Sequence, residues 1–319
     1  MKSIWWIGIC IVLCGCQTSL TNTPSCVTQC CDIPVHRTSA IAWSCEEKGY
    51  LFGGRDEKGQ IHHDLWKYNP LQDSWTALGN TPLVSRVNGC ACWIGDKVYM
   101  GLGFRTAIYQ DSSYLRDWWE YTPAKNTWRQ LSDFPNQNTV GVIPYVDDNK
   151  IYCVHGFGVG FTADIIYFDI ETESWTTIER TNCQDKAAMA GAGTSLHGRH
   201  FYGTGYNTRS LESWYEIQWE REWITKADVP SKREMATCAS SDQYIYLIGG
   251  RHFGGSLTDG KLYDDILRYD IDTDQWTLAG TTNETGENRF AFTIDGIAFV
   301  GGGENDDTGV LNTFYRIED

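Results

Sequence analysis

A tryptophan that returns at a nearly constant interval constrains this chain more than any other feature. Trp75, Trp128, Trp175, Trp223 and Trp276 are 53, 47, 48 and 53 residues apart. Seven residues before them stand Tyr68, Tyr121, Phe168, Glu216 and Tyr269, and seven after them Pro82, Pro135, Asn182, Pro230 and Asn283. Upstream of each aromatic position an apolar run ends in glycine: Tyr50–Gly54, Val98–Gly103, Ile151–Gly156, Phe201–Gly205 and Ile245–Gly250, with a sixth at Ala298–Gly303. Self-similarity at a fixed period marks supersecondary units that bury their faces against their neighbours. Each copy reads as four strands. Strand a is a small-residue segment, b the apolar run into the glycines, c carries the aromatic, and d begins near the tryptophan. The c–d turn is rich in Asn, Asp, Pro and Thr, as in Asn69–Ser74. The glycines let the backbone turn where units crowd, and the Tyr and Trp bury roughly 150–250 Å² each.

The sixth copy stops early: after Phe314–Arg316 there is no room for a strand d. Counting back seven from Pro34 reaches Val27, and Val27–Cys30 matches Trp128–Leu131 in its spacing to the proline. The expectation is a ring closed by an N-terminal strand d added to the last copy. Closure hides edges that would otherwise pair with another chain.

Glycines after an apolar strand, an aromatic, and a tryptophan seven residues on resemble the kelch repeat. The resemblance covers essentially all of the chain beyond its leader and implies an all-β, six-bladed β-propeller over 25–319. Copy four departs, with Glu216 at the aromatic position and Gly203-Thr204-Gly205 for the diglycine, and copies two and three lack a strict Gly pair.

The first residues read as targeting. Lys2 is a minimal positive region, Ile4–Leu13 an apolar run too short for a permanent span, and Leu13-Cys14-Gly15-Cys16 resembles the bacterial lipobox. Residues 1–15 are therefore expected to be a lipoprotein signal peptide, Cys16 the lipid attachment site and 16–24 a tether. The alternative is ordinary cleavage near Gly15. More than one acyl chain gives a stable anchor, so the expected location is the bacterial envelope, with the membrane touched only through the lipid. Nine cysteines remain in the mature chain, an odd number that cannot all pair internally. Cys26, Cys30 and Cys31 lack spaced His partners, so buried free thiols are expected in preference to a metal cluster.

With 26 Lys+Arg against 41 Asp+Glu, the net charge is −15, which argues against a nucleic-acid partner. Against this background, cations recur at one end of the expected ring, where b–c and d–a connections open. Arg37, Arg86, Lys186, Arg233 and Arg289 precede strand a, with Thr139 in the third copy. Arg55, Arg105, Arg209 and Arg251 follow the glycines, with Glu304 in the sixth. Two readings stand side by side. The arginines can tie the structure together by pairing with nearby Asp56, Asp64, Asp264 or Glu234. Or some face a pocket whose walls focus their field on an anionic ligand. Phe104, Tyr109, Phe157, Phe161, Tyr206 and Phe253 lie in the same loops and can stack on a sugar or plug the channel. His62, His63, His155 and His252 show no metal-ligand spacing, and no cofactor motif is present.

Two function classes follow. One is a module that binds a carbohydrate, in particular an acidic sugar, or a protein partner. The other is implied by the likeness to bacterial kelch mutarotases, which interconvert anomers of N-acetylneuraminate. The likeness implies a catalytic Glu just after the glycines with an Arg downstream. Here Glu304 has no following Arg, while Tyr206 with Arg209 has no Glu. Kelch propellers of the galactose oxidase type would need a copper set of two Tyr, two His and a cross-linked Cys, which nothing here marks.

Overall fold

The structure, a computed structural model, describes residues 26–106, 113–136, 140–154, 164–179, 186, 188–253 and 260–319. Six four-stranded antiparallel sheets follow in chain order. In order a to d, blade 1 is Ile41–Cys45, Lys48–Phe52, Asp64–Asn69 and Ser74–Asn80. Blade 2 is Cys90–Ile94, Lys97–Gly101, Trp118–Thr122 and Thr127–Gln130. Blade 3 is Ile143–Asp147, Lys150–Val154, Ile165–Asp169 and Ser174–Ile178. Blade 4 is Ala192–Leu196, Arg199–Gly203, Trp214–Glu216 and Ile224–Thr225. Blade 5 is Thr237–Ser240, Ile245–Ile248, Asp265–Asp270 and Gln275–Thr281. Blade 6 takes Phe290–Ile294, Ile297–Gly301 and Phe314–Glu318 from the C-terminus and Cys26–Gln29 from the N-terminus. In that closing pair Val27 faces Ile317 and Thr28 faces Arg316. The chain is a six-bladed β-propeller closed by its N-terminal strand.

The seven-residue spacing has a direct cause. Tyr68, Tyr121, Phe168 and Tyr269 face Trp75, Trp128, Trp175 and Trp276 across the c–d hairpin. The turn that makes this register passes through the left-handed region at Asp73, Asn126, Glu173 and Asp274. Asp73 and Asp274 then accept the tyrosine hydroxyl at 2.8 and 2.7 Å, so one residue fixes both the turn and the ring. Blade 4 breaks the rule: Glu216 faces Ile224, not Trp223, and is held by Arg199 through two bonds of 2.9 and 2.7 Å.

Blades pack through apolar seams. Tyr68 of blade 1 packs edge-on against Phe299 and Phe314 of blade 6, in one cluster with Phe290 and Phe292. Cys90 and Cys92 of blade 2 share a seam with Cys153 of blade 3. These three and Cys45 are buried and unbridged, and Cys30, Cys31 and Cys238 are also free. Burial pushes the Cys90 thiol up to about 12, which makes it an inert apolar filler. Cys183 and the leader with Cys16 lie outside the described residues.

Candidate functional site

The b–c and d–a connections meet on one face, around the channel mouth. The arginines that open strand a lie beneath it. Arg86, its side chain wholly buried, donates from Nη1 to Leu102 O at 3.1 Å and to Asp117 Oδ1 at 2.9 Å. Its Nη2 donates to Asp117 Oδ2 at 2.6 Å, and Nε to Val84 O. Arg233, equally buried, repeats the pattern on Gly249 O and both oxygens of Asp265. Arg37 reaches Asp64 at 2.9 Å. Each brace ties the entry of strand a to the start of strand c in its own blade. Burial alone would raise the Asp117 carboxyl, but the Arg86 hydrogen bonds and charge, with Trp119 Nε1, hold it below the usual carboxylate range.

The backbone of the same residues joins blades. The carbonyls of Arg86, Arg233 and Arg37 accept the N–H of Gly54, Gly205 and Gly303 from the blade before, at 2.9, 2.8 and 2.8 Å. Gly205 sits at φ +91°, and a Cβ there would lie 2.6 Å from Met189 O, so only glycine fits.

Arg289 reaches this position by another route. The residue whose carbonyl takes the Gly250 N–H is Gly286, three residues earlier. A Cβ on Gly286 would meet the Arg289 guanidinium at 2.7 Å. Arg289 folds back over it, donates to Gly302 O at 3.1 Å, and finds its carboxylate in Glu284 at 3.5 Å. Lys186 instead lies against Glu222 at 3.3 Å and over the Tyr215 ring. Of the two readings open in the sequence, pairing within the fold describes Arg37, Arg86, Arg233 and Arg289. The partner of Arg233 is Asp265, not the neighbouring Asp264.

Above the braces a second tier lines the mouth. Arg55, Phe104, Tyr206, Arg251 and Glu304 follow the glycines, and bridge to Thr38, Val87, Met189, Glu234 and Glu287. The tier has two halves. Blades 2 and 3 supply Val87, Phe104 and Val140 as an apolar cluster, continued by Met189 and Tyr206 of blade 4. Blades 5, 6 and 1 supply charges. Arg55 binds Glu304 at 2.6 Å, both about one-quarter exposed, and Thr38 Oγ1 donates to the same carboxylate at 3.1 Å. Arg251 pairs with Glu287 at 2.9 Å and Asp306 at 2.7 Å and lies over the Phe253 ring. His62 is tied to Asp56 at 2.9 Å.

Glu234 is the exception. Its residue is only 1 % exposed, yet neither carboxylate oxygen has a hydrogen-bond partner among the described residues. The donors that bear on it are the Ser210 hydroxyl and the Phe253 amide, and Phe253 N–H already donates to Ser210 Oγ at 3.1 Å. Burial, reinforced by the Glu287 charge, pushes the Glu234 carboxyl up to about 7, against the pull of Ser210, Phe253 and Arg251. Burial also raises Glu287.

Arg105 and Arg209 are exposed and form no ion pair among the described residues. Arg105 lines a cleft of about 410 Å³ where the b–c connection of blade 2 meets the neighbouring d–a connections, with Val84, Tyr114, Arg116, Trp119 and Gln130. Arg116 spends two donors on Phe134 O and Pro135 O, and Trp119 spends its N–H on Asp117. Asp117, spent on Arg86, and Asp133 also line it. The cleft thus offers apolar walls, a guanidinium with no ion pair among the described residues and a side-chain amide, a combination suited to a sugar ring whose carboxylate reaches Arg105. Tyr109, Thr139, His155, Phe157 and Phe161 lie outside the described residues. Asp117, Asp265, Glu284 and Glu287 escaped the sequence reading, although alignment of the copies puts Glu234 and Glu287 opposite the residue after the glycines.

A family model described as the KLHDC2/KLHL20/DRC7 Kelch-repeats domain matches residues 19–205, more than half of the chain. The chain belongs to the kelch-repeat family. A Kelch motif model matches residues 232–283 as well. Among relatives, kelch-like protein terF of Aspergillus terreus is 23% identical over 262 residues, 74% of this chain and 55% of that protein. The N-acetylneuraminate epimerase of Pasteurella multocida is 25% identical over 154 residues, 38% of this chain and 40% of that protein. Human Kelch domain-containing protein 3 is 35% identical over 72 residues, 21% of this chain and 19% of that protein. The chain spans about half the length, or less, of these curated relatives. The solved structure of YjhT superposes with a TM-score of 0.74, covering 91% of this chain and 99% of that one at 16% identity. At that identity the likeness is one of fold.

Proposed function

We propose that this kelch propeller binds a carbohydrate on its b–c face, with an acidic sugar seated in the blade 2 cleft. The observation that supports this reading is the cleft itself. It sets Arg105, which has no ion pair among the described residues, beside Tyr114, Trp119 and the Gln130 amide, whereas Arg55 and Arg251 at the same mouth are neutralised by carboxylates. Arg105 takes the carboxylate, and the aromatic walls take the apolar face of the ring. Binding of N-acetylneuraminate, measured by calorimetry on the soluble mature domain, tests it. A neutral hexose should bind more weakly, and equal or absent binding of both sugars contradicts the reading. The Leu13–Cys16 lipobox supports attachment of the mature chain to the bacterial envelope through Cys16. Cys16→Ser should abolish partition into detergent.

A second reading, mutarotation of a sugar held over Glu304 on the blade 6 and blade 1 side of the mouth instead of in the blade 2 cleft, is favoured by relatives named N-acetylneuraminate epimerase. Anomer exchange needs one group to take the proton of the anomeric hydroxyl and another to return one to the ring oxygen. Glu304, held by Arg55 and Thr38, fits the base role better than the acid role. Exchange followed by NMR decides: the parent should outrun buffer and Glu304→Gln should not. No acceleration by the parent removes this reading and leaves the binding reading intact.

A further inference from the structure

Glu234 is placed where a structural residue should not be left without a partner. Its backbone is locked, with N–H and C=O both bonded to Arg251 at 2.8 Å. Its side chain lies at the joint of three blades. Ser210 comes from the b–c connection of blade 4, Phe253 from that of blade 5, and Glu287 from the entry to blade 6. The charged and titratable groups that act on it or feel it are Glu287, Arg251 and Tyr263. Arg251 is already committed to Glu287 and Asp306, so it does not neutralise Glu234 as the braces neutralise their aspartates.

We propose that Glu234 is a proton-operated latch that sets the joint between the b–c connections of blades 4 and 5. The arrangement seen, with Phe253 N–H on Ser210 Oγ and the carboxyl unpartnered, is the protonated form. A neutral carboxyl tolerates burial, and its own hydroxyl can donate to Ser210 Oγ. An ionised carboxylate sealed from water cannot remain without donors. It must draw the Phe253 amide and the Ser210 hydroxyl to itself or admit water, and either change breaks the Ser210–Phe253 bond. The mouth therefore has two shapes, selected by one proton. The folded carboxyl holds its proton more tightly than the unfolded chain, with an ordinary value of 4.5. Stability should therefore fall as pH rises from there through about 7.

The test is a pH titration of the full chain labelled with ¹⁵N-phenylalanine, from about pH 5 to about pH 9. The Phe253 amide resonance should move with a midpoint near neutrality in the parent and stay still in Glu234→Gln, whose amide mimics the protonated form. Glu287→Gln provides an independent arm should Glu234→Gln fail to fold. Removing the like charge and freeing Arg251 should shift the midpoint down by at least about half a pH unit. An unmoving Phe253 amide in the parent, an identical titration in Glu234→Gln, or an unchanged midpoint in Glu287→Gln each overturns the latch. None of these outcomes depends on the identity of the ligand.

Discussion

Arg86 and Arg105 lie 19 residues apart in one blade and have opposite fates. Arg86 spends four donors inside the protein and shows no side-chain surface. Arg105 is exposed at the lip of a cleft and forms no ion pair among the described residues, although Asp117, spent on Arg86, and Asp133 line the same cleft. The difference teaches how to read charge in a repeat protein. A cation that recurs at equivalent positions, each with an aspartate some thirty residues on, belongs to the architecture of the unit. A cation that lacks this companion is either taken by a more distant carboxylate, as Arg55 and Arg251 are, or left free for a ligand, as Arg105 is among the described residues.

The largest expected effect belongs to the lower tier. Arg233→Ala strips both Asp265 oxygens of their partner and should cost about 3–5 kcal/mol in denaturant unfolding. A loss below about 1 kcal/mol would erase the distinction between the tiers. Acid should weaken the equivalent brace in blade 2. Asp117 is held below its usual range, so its contribution is complete above the unfolded value and is lost as pH falls through the folded one. Arg289→Ala should cost less, about 2 kcal/mol, because its carboxylate lies at 3.5 Å and its Nε has no partner. Arg55→Ala, which breaks a quarter-exposed pair with Glu304, should cost under about 1 kcal/mol. At the end of the series, Arg105→Ala should leave stability within about 0.5 kcal/mol. It should weaken N-acetylneuraminate binding roughly tenfold, read by calorimetry beside the melting curve.

The fold was legible because its signals are local and repeated. The Tyr–Trp spacing is the hairpin register itself, and Val27 announces the closing strand by its distance from Pro34. The site was harder to read for a physical reason. Whether an arginine is spent depends on which carboxylate reaches it, and that is decided between segments far apart in sequence. Arg289 shows the trap. By position it belongs with Arg37, but a glycine at 286 holds the equivalent backbone and the guanidinium arrives from the next turn of chain. Glu234 was visible only as a possible partner. Nothing in its neighbourhood along the chain says that Arg251 would be taken by Glu287 and Asp306 instead. Glu216 is the opposite case: its break from the aromatic pattern was visible along the chain, and in the structure Arg199 holds it.

The division into tiers is tested most directly by two double-mutant cycles run by urea denaturation, Arg86–Asp117 and Arg55–Glu304, each residue replaced by Ala singly and together. For the buried pair, the double mutant should be about 2 kcal/mol or more better than the sum of its singles, because the second change removes the charge that the first left stranded. For the mouth pair the coupling should stay under about 1 kcal/mol. Equal coupling in the two cycles, or additivity at Arg86–Asp117, would contradict the account.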